Sequence, residues 1–175
     1  GMENSSFMNT NGLDTDGHYS SARDVAIMSR ELLKHEKIFE YTTIWMDSLR
    51  DGKTQLANTN KLVRFYKGAN GLKTGSTSKA LCCLSAAAKR DNMQLIAVVL
   101  GAPSSKDRFA GASTLLDYGF ANYAVKQAVV QEEVLGDVSV SKGDRASINA
   151  VAKNEFAFLV DKGSNKEVER NVQFQ

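Results

Sequence analysis

Asn70-Gly71-Leu72-Lys73-Thr74-Gly75-Ser76-Thr77 opens the stretch that decides the fold. From Gly71 the pattern reads as three extended segments, 71–77, 80–89 and 93–101, with the polar turn Arg90-Asp91-Asn92 between the last two. Leu95-Ile96-Ala97-Val98-Val99-Leu100 is apolar at successive positions. A strand facing water on one side alternates, so this run predicts a central strand covered on both faces. Working outward, Ser21-Ala22-Arg23-Asp24 matches a helix capping box, and Val25, Met28, Leu32 and Leu33 recur at helical spacing after it. After the single proline, Pro103, come Ser104 and Ser105 as N-cap candidates, then Phe109, Ala112, Leu115, Leu116 and Phe120, which predict a helix over 105–122. Arg50-Asp51-Gly52 between extended runs at 42–48 and 53–56 signals a hairpin.

Beyond Tyr123 the character changes. Short, Val-rich runs at 125–134, 137–141, 146–152, 155–160 and 167–174 are separated by Gly136, Gly143-Asp144, Asn154 and Gly163-Ser164-Asn165, which predicts a small β module. The class is therefore α+β: an antiparallel sheet with helices in residues 1–123, followed by a small β-rich module in 124–175.

Composition excludes several classes. Hydrophobic residues at 42% and charged residues at 24% are ordinary for a globular chain. The net charge of +2 is scattered, which argues against nucleic-acid binding. No apolar run approaches the ~18 residues of a membrane-spanning helix, and Gly1-Met2-Glu3-Asn4 does not open like an export signal. Gly1-Met2 fits either an expression scar or the interior of a longer protein. Cys82 and Cys83 are neighbours on a strand pattern, so their side chains point to opposite faces, and two reduced, packed thiols are expected. His18 and His35 lack a third ligand or an H-E-x-x-H frame. No metal or cofactor is expected, and Phe39, Tyr41 and Trp45 read as packing over the hairpin rather than as a sugar platform.

The chain resembles the serine D-alanyl-D-alanine carboxypeptidases of the penicillin-binding protein group. The matching text is Asn9-Thr10-Asn11-Gly12-Leu13-Asp14, Gly17-His18-Tyr19-Ser20-Ser21-Ala22-Arg23-Asp24, Asn58-Thr59-Asn60-Lys61-Leu62, Gly71-Leu72-Lys73-Thr74-Gly75 and Leu95 to Ala102. The resemblance implies a partial β-lactamase/transpeptidase-like domain, with the K-T-G strand as one wall of an active site beside a helix bearing the nucleophilic serine. It further implies that Lys73 supplies positive charge and that Thr74 presents its hydroxyl to the substrate's terminal carboxylate. Gly75 permits close approach, and the backbone N–H of Ser76 serves as an oxyanion donor, each such donor being worth ~3 kcal/mol. Arg108 falls where the family places an arginine for the carboxylate, a task that suits a two-pronged guanidinium. The plainer reading is a surface arginine in a helix's first turn.

The family's reaction is acyl transfer. A serine attacks the D-Ala-D-Ala carbonyl, D-alanine leaves, and water hydrolyses the acyl-enzyme. Its S-x-x-K pair sits one helical turn apart, yet the matches here, Ser76-Thr77-Ser78-Lys79 and Ser139-Val140-Ser141-Lys142, lie in extended segments. Ser147-Ile148-Asn149, an S-x-N match, also lies in a β segment. The nucleophile is thus expected before residue 1, and the 175 residues are expected to be inactive alone. Expected partners of the parent enzyme are peptidoglycan D-Ala-D-Ala stem peptides and β-lactams, at the outer face of a bacterial cell envelope. Sheet strands are expected to be missing too, leaving an open edge through which the chain would self-associate, and by the same resemblance the module at 124–175 is expected to be an incomplete second domain. Two other readings stand beside this one: a non-catalytic module binding peptidoglycan peptides, and a β-lactamase-related acyl enzyme.

Overall fold

Ser21 caps the first helix by accepting the Asp24 N–H on its hydroxyl at 3.1 Å, and α1 runs Ala22–Leu32. The architecture is that of a computed structural model, which describes residues 1–163 and 169–173. Two units emerge, Gly1–Phe120 and Ala121–Gln175. In the first, a short helix α2 (Phe39–Thr42) leads to the hairpin β1 (Met46–Leu49) and β2 (Thr54–Ala57), with α3 (Leu62–Phe65) following. The hairpin forms where Asp-Gly marked it, with Arg50, Asp51 and Gly52 all at positive φ. Residues 39–42, however, are helical, so the first arm starts later than the 42–48 expected.

Strands β3 (Ala69–Thr77), β4 (Leu81–Arg90) and β5 (Met93–Ala102) form an antiparallel sheet in the order β3-β4-β5. Here the expectation needs correction: among the described residues β4, not the uniformly apolar β5, is the central strand. Leu84 to Ala88 are all buried, with Ala86, Ala87 and Ala88 fully so. Side chains alternate across a strand, and register places Ser85 opposite Val98 and Leu84 opposite Val99. One face therefore meets α1, where Ser29 Oγ and Ser85 Oγ lie 2.7 Å apart. The other meets α4 (Ser105–Asn122), whose Gly111 lies against Val99 and Gly119 against Leu95. Both helices can approach because β4 carries small side chains.

Two helix faces differ from their sequence reading. On α1, Met28 and Leu32 are exposed at 46% and 40%, whereas Asp24 and Ser29 are the buried residues. On α4, Ala112, Leu116 and Phe120 are buried as expected, but Leu115 is exposed and Arg108 buried. Ser104 is the residue that caps this helix, accepting the Asp107 N–H at 3.2 Å. At the far end of the sheet, the Arg90 guanidinium lies between the Tyr66 and Phe120 rings. Tyr66 donates to Asp117 at 2.7 Å, and burial first, then that bond, pushes its hydroxyl up to about 12.

The second unit contains β6 (Tyr123–Val129) paired with β9 (Phe156–Asp161), and β7 (Val134–Ser139) paired with β8 (Ser147–Val151). The strand expected over 125–134 ends at Val129. Residues 169–173 of the run expected over 167–174 are not a strand, and 167, 168 and 174 lie outside the described residues. Among the described residues no helix is long and apolar enough to cross a membrane.

Asp24 anchors the N-terminal segment. Its carboxylate, the expected second half of the capping box, instead accepts from the Asn4 N–H and the Ser5 hydroxyl, both at 2.7 Å. The Ser5 bond foremost, helped by Asn4 and Ser21 against the opposing effect of burial, holds this carboxyl below the usual carboxylate range. A lowered folded-state pKa contributes stability that is complete above the unfolded value of ~3.9 and lost as pH falls through the folded value. Urea unfolding at neutral pH and near pH 3 should show that loss, and Asp24→Asn should flatten this part of the profile while lowering stability at neutral pH.

Candidate active site

The K-T-G stretch lies on β3 at the end of the sheet, with Lys73 facing Ser85, Thr74 facing Leu84, and Gly75 facing Cys83 across the β3–β4 ladder. Alternation sends Lys73 and Gly75 to the α1 face and Thr74 to the α4 face. On the α1 side a cleft of about 770 Å³ opens between the strand ends and the loop at 9–20. Leu13, Tyr19, Val25, Lys73, Ser76 and Cys83 are among its lining. Lys73 Nζ donates to the Thr74 carbonyl. A Cβ at Gly75 would meet nothing within 4 Å, so the space beside this residue is open.

Thr74 is buried, and its hydroxyl lies 2.7 Å from that of Thr59. Hydroxyls both donate and accept; with Thr59 donating, the Thr74 proton is free for a ligand. Asn60, 1% exposed, fixes this loop by donating to Gly71 O at 2.9 Å and accepting the Leu62 N–H at 3.2 Å. Asn58-Thr59-Asn60, part of the text shared with the family, thus has a structural task that residue type alone does not reveal. Two amides flanking a hydroxyl just before K-T-G were the available signal.

Arg108 is neither on the surface nor in the cleft. It is 8% exposed, and its Nη1 donates to Gly75 O at 3.1 Å and Cys83 O at 3.3 Å, while Nη2 donates to Ser105 Oγ at 3.3 Å. Gly75 and Cys83 face each other across the ladder, so the guanidinium clamps the two strands at the K-T-G end. The expected residues thus divide: Lys73, Gly75 and Ser76 line the cleft, and Thr74 and Arg108 do not. Among the described residues Arg108 Nε has no hydrogen-bond partner.

Asp14, whose task is likewise not evident from residue type, bridges the 9–20 loop to the turn after β3. The Thr77 hydroxyl above all, with the Lys79 N–H, the Ser78 hydroxyl and the Lys79 charge, holds the Asp14 carboxyl below its usual range. The S-x-x-K match at Ser76–Lys79 runs from β3 into this turn, Ser139–Lys142 leaves the end of β7, and Ser147 is on β8; no helix carries any of them. Cys82 and Cys83 are free and half-exposed rather than packed. His18 accepts the Met8 N–H at 3.0 Å and meets Phe7 edge-on, and Trp45 packs edge-on against Phe65. Among the described residues no three His, Cys, Asp or Glu side chains converge as metal ligands would.

Residues 1–104 match the family model described as D-alanyl-D-alanine carboxypeptidase. The chain belongs to that family. It is 42% identical over 168 residues to the D-alanyl-D-alanine carboxypeptidase DacF of Bacillus subtilis, covering 94% of this chain and 43% of that protein. Penicillin-binding protein 5 from Haemophilus influenzae matches in structure with TM-score 0.74 and 30% identity, over 94% of this chain and 48% of its own. Penicillin-binding protein D2 from Listeria monocytogenes in its cefotaxime-bound form matches with TM-score 0.60 and 32% identity, over 66% of this chain and 48% of its own. The chain therefore spans less than half the length of each of these relatives, and its mixed helix and antiparallel-sheet fold is theirs.

Removing the Arg108 side chain leaves the Gly75 and Cys83 carbonyls without their charged donor, and hydrogen bonds to charged groups are worth ~1.5–3 kcal/mol. Arg108→Ala should lower unfolding free energy by about 2 kcal/mol in urea titrations, and faster amide exchange should be concentrated at the K-T-G end of β3 and β4.

Proposed function

We propose that these residues form the substrate-binding wall of a serine D-alanyl-D-alanine carboxypeptidase acting on peptidoglycan stem peptides, whose S-x-x-K serine lies outside the 175 residues. The observation that carries this reading is the placement of Lys73, Gly75 and Ser76 at one open cleft beside a strand that also bears Thr74. In the proposed reaction the serine oxygen bonds to the D-Ala-D-Ala carbonyl carbon, the peptide C–N bond breaks, and the departing amine takes a proton. Water then hydrolyses the ester. Lys73 contributes a fixed positive charge, and the Ser76 N–H donates to the carbonyl oxygen as negative charge builds there. Thr74 and Arg108 come from the opposite face of the strand. Thr74 is the candidate for the substrate's terminal carboxylate through its hydroxyl, while Lys73 and Ser76 attend the reacting carbonyl; Arg108, expected to share the carboxylate, is committed to Gly75 O, Cys83 O and Ser105 Oγ and holds the strand instead.

We read 1–123 as part of a transpeptidase-like catalytic domain and 124–175 as a small β-rich module. The site of action is the outer face of a bacterial cell envelope, and β-lactams acylate the whole enzyme. Labelled penicillin should leave the 175-residue chain unmodified, and covalent labelling of it would place a nucleophile within these residues and refute the division.

Self-association through a strand edge is part of the same reading, since among the described residues β3 and β5 each pair on one side only. Sedimentation velocity should show concentration-dependent association; a monomer at high micromolar concentration would exclude it.

A further inference from the structure

The loop from Asn9 to Ser20 is shaped from within before it meets the sheet. Asn9 Nδ2 donates to Leu13 O and Thr15 Oγ1, both at 2.9 Å, and Asn9 Oδ1 accepts the Gly12 N–H at 2.8 Å. Asn11 Oδ1 accepts the Leu13 N–H at 2.9 Å. At the base, Ser6 and Tyr19 form a two-way backbone bridge, with N···O distances of 2.9 and 3.0 Å. Such a loop moves as a unit unless something ties its tip.

The tie is a carboxylate. Asp14 Oδ1 accepts the Thr77 hydroxyl at 2.6 Å, and Oδ2 accepts the Ser78 hydroxyl and the Lys79 N–H, both at 3.1 Å. Thr77 Oγ1 in turn accepts the Ala80 N–H at 2.9 Å, so the group that Asp14 grips also closes the turn into β4. Asp16 adds an exposed ion pair with Lys79 at 3.4 Å, a contact of little energetic weight. Three donors on consecutive residues need two acceptor oxygens on one rigid group. Neither Asn, with one acceptor oxygen, nor a hydroxyl side chain supplies that.

Thr77, the residue after Ser76, ends β3, and the turn follows at 78–80. The Ser76 N–H lies in the Gly75–Ser76 peptide plane of β3, and Asp14 fixes the chain one residue further on, at the Thr77 hydroxyl. We propose that Asp14 is a positioning residue of the candidate active site, a two-oxygen latch that fixes the loop as the cleft's outer wall and holds the Ser76 N–H on line for the substrate carbonyl. This rests on the role proposed above for Ser76, and it adds the group on which that role depends. A donor pre-aimed at developing charge gives its full effect without reorganisation, whereas a turn that must find its shape gives less.

Amide spectra of the isotopically labelled 175-residue chain test the latch directly. Asp14→Ala should speed exchange of the Lys79 amide by about tenfold or more, in keeping with loss of a bond to a charged acceptor, and should also move the Ser76 amide resonance. Asp14→Asn, the milder variant, should fall between, and Asp14→Glu should restore part of the Ser76 shift. Binding of a D-alanyl-D-alanine peptide should weaken about tenfold in Asp14→Ala and recover in Asp14→Glu. If Lys79 loses protection while the Ser76 resonance stays put, Asp14 is only a loop tie and the positioning role is overturned. Absence of peptide binding by the unsubstituted chain would count against the functional reading instead, and the Ser76 amide alone would then decide the latch.

Discussion

Burial of β4 from Leu84 to Ala88 is the constraint on which the first unit depends. A central strand packed by helices on both faces tolerates little volume, and three successive alanines provide the closeness that larger side chains would prevent. Once β4 is held, the β3–β4 register follows, and it alone puts Lys73 beside Ser85, Thr74 beside Leu84 and Gly75 beside Cys83. A slip of one residue would exchange the two faces, taking Lys73 from the cleft and turning Thr74 toward it. The chemistry of the candidate site therefore rests on the packing of a strand that contributes only Cys83 to its lining.

Around that register the polar groups act as ties rather than as decoration. Arg108 clamps Gly75 to Cys83, Asn60 holds Gly71, Thr59 meets Thr74, and Asp14 grips Thr77 through Lys79. Buried or half-buried donors and acceptors left alone are costly, so each tie also removes a penalty. Together they reach β3 from three directions: α4, the segment before α3, and the 9–20 loop.

Much of this was legible from residue patterns. The Ser21 cap, the Asp-Gly hairpin, the three strands and the 105–122 helix all follow from local chemistry, because capping, turn conformation and periodicity are properties of neighbours in sequence. The exceptions share one cause. Met28 and Leu32 read as a buried face, yet α1 turns Ser29 to the sheet because Ser85 offers it a partner 2.7 Å away. The apolar run in β5 read as central, yet β4 is the strand with partners on both sides. Strand order depends on which edges meet, and apolarity does not encode it.

Most element types, the α+β class and the family are carried by residues close together in the chain, as Lys73-Thr74-Gly75 and its flanking blocks are. Tertiary structure decided which face each site residue takes, that Arg108 turns inward to two backbone carbonyls, and that Asp14, 63 residues from Thr77, closes the end of the site. Those outcomes hinge on strand register and on hydrogen bonds between distant segments. The partner of a polar side chain is set by what folding brings within about 3 Å of it, and no spacing along the chain specifies that.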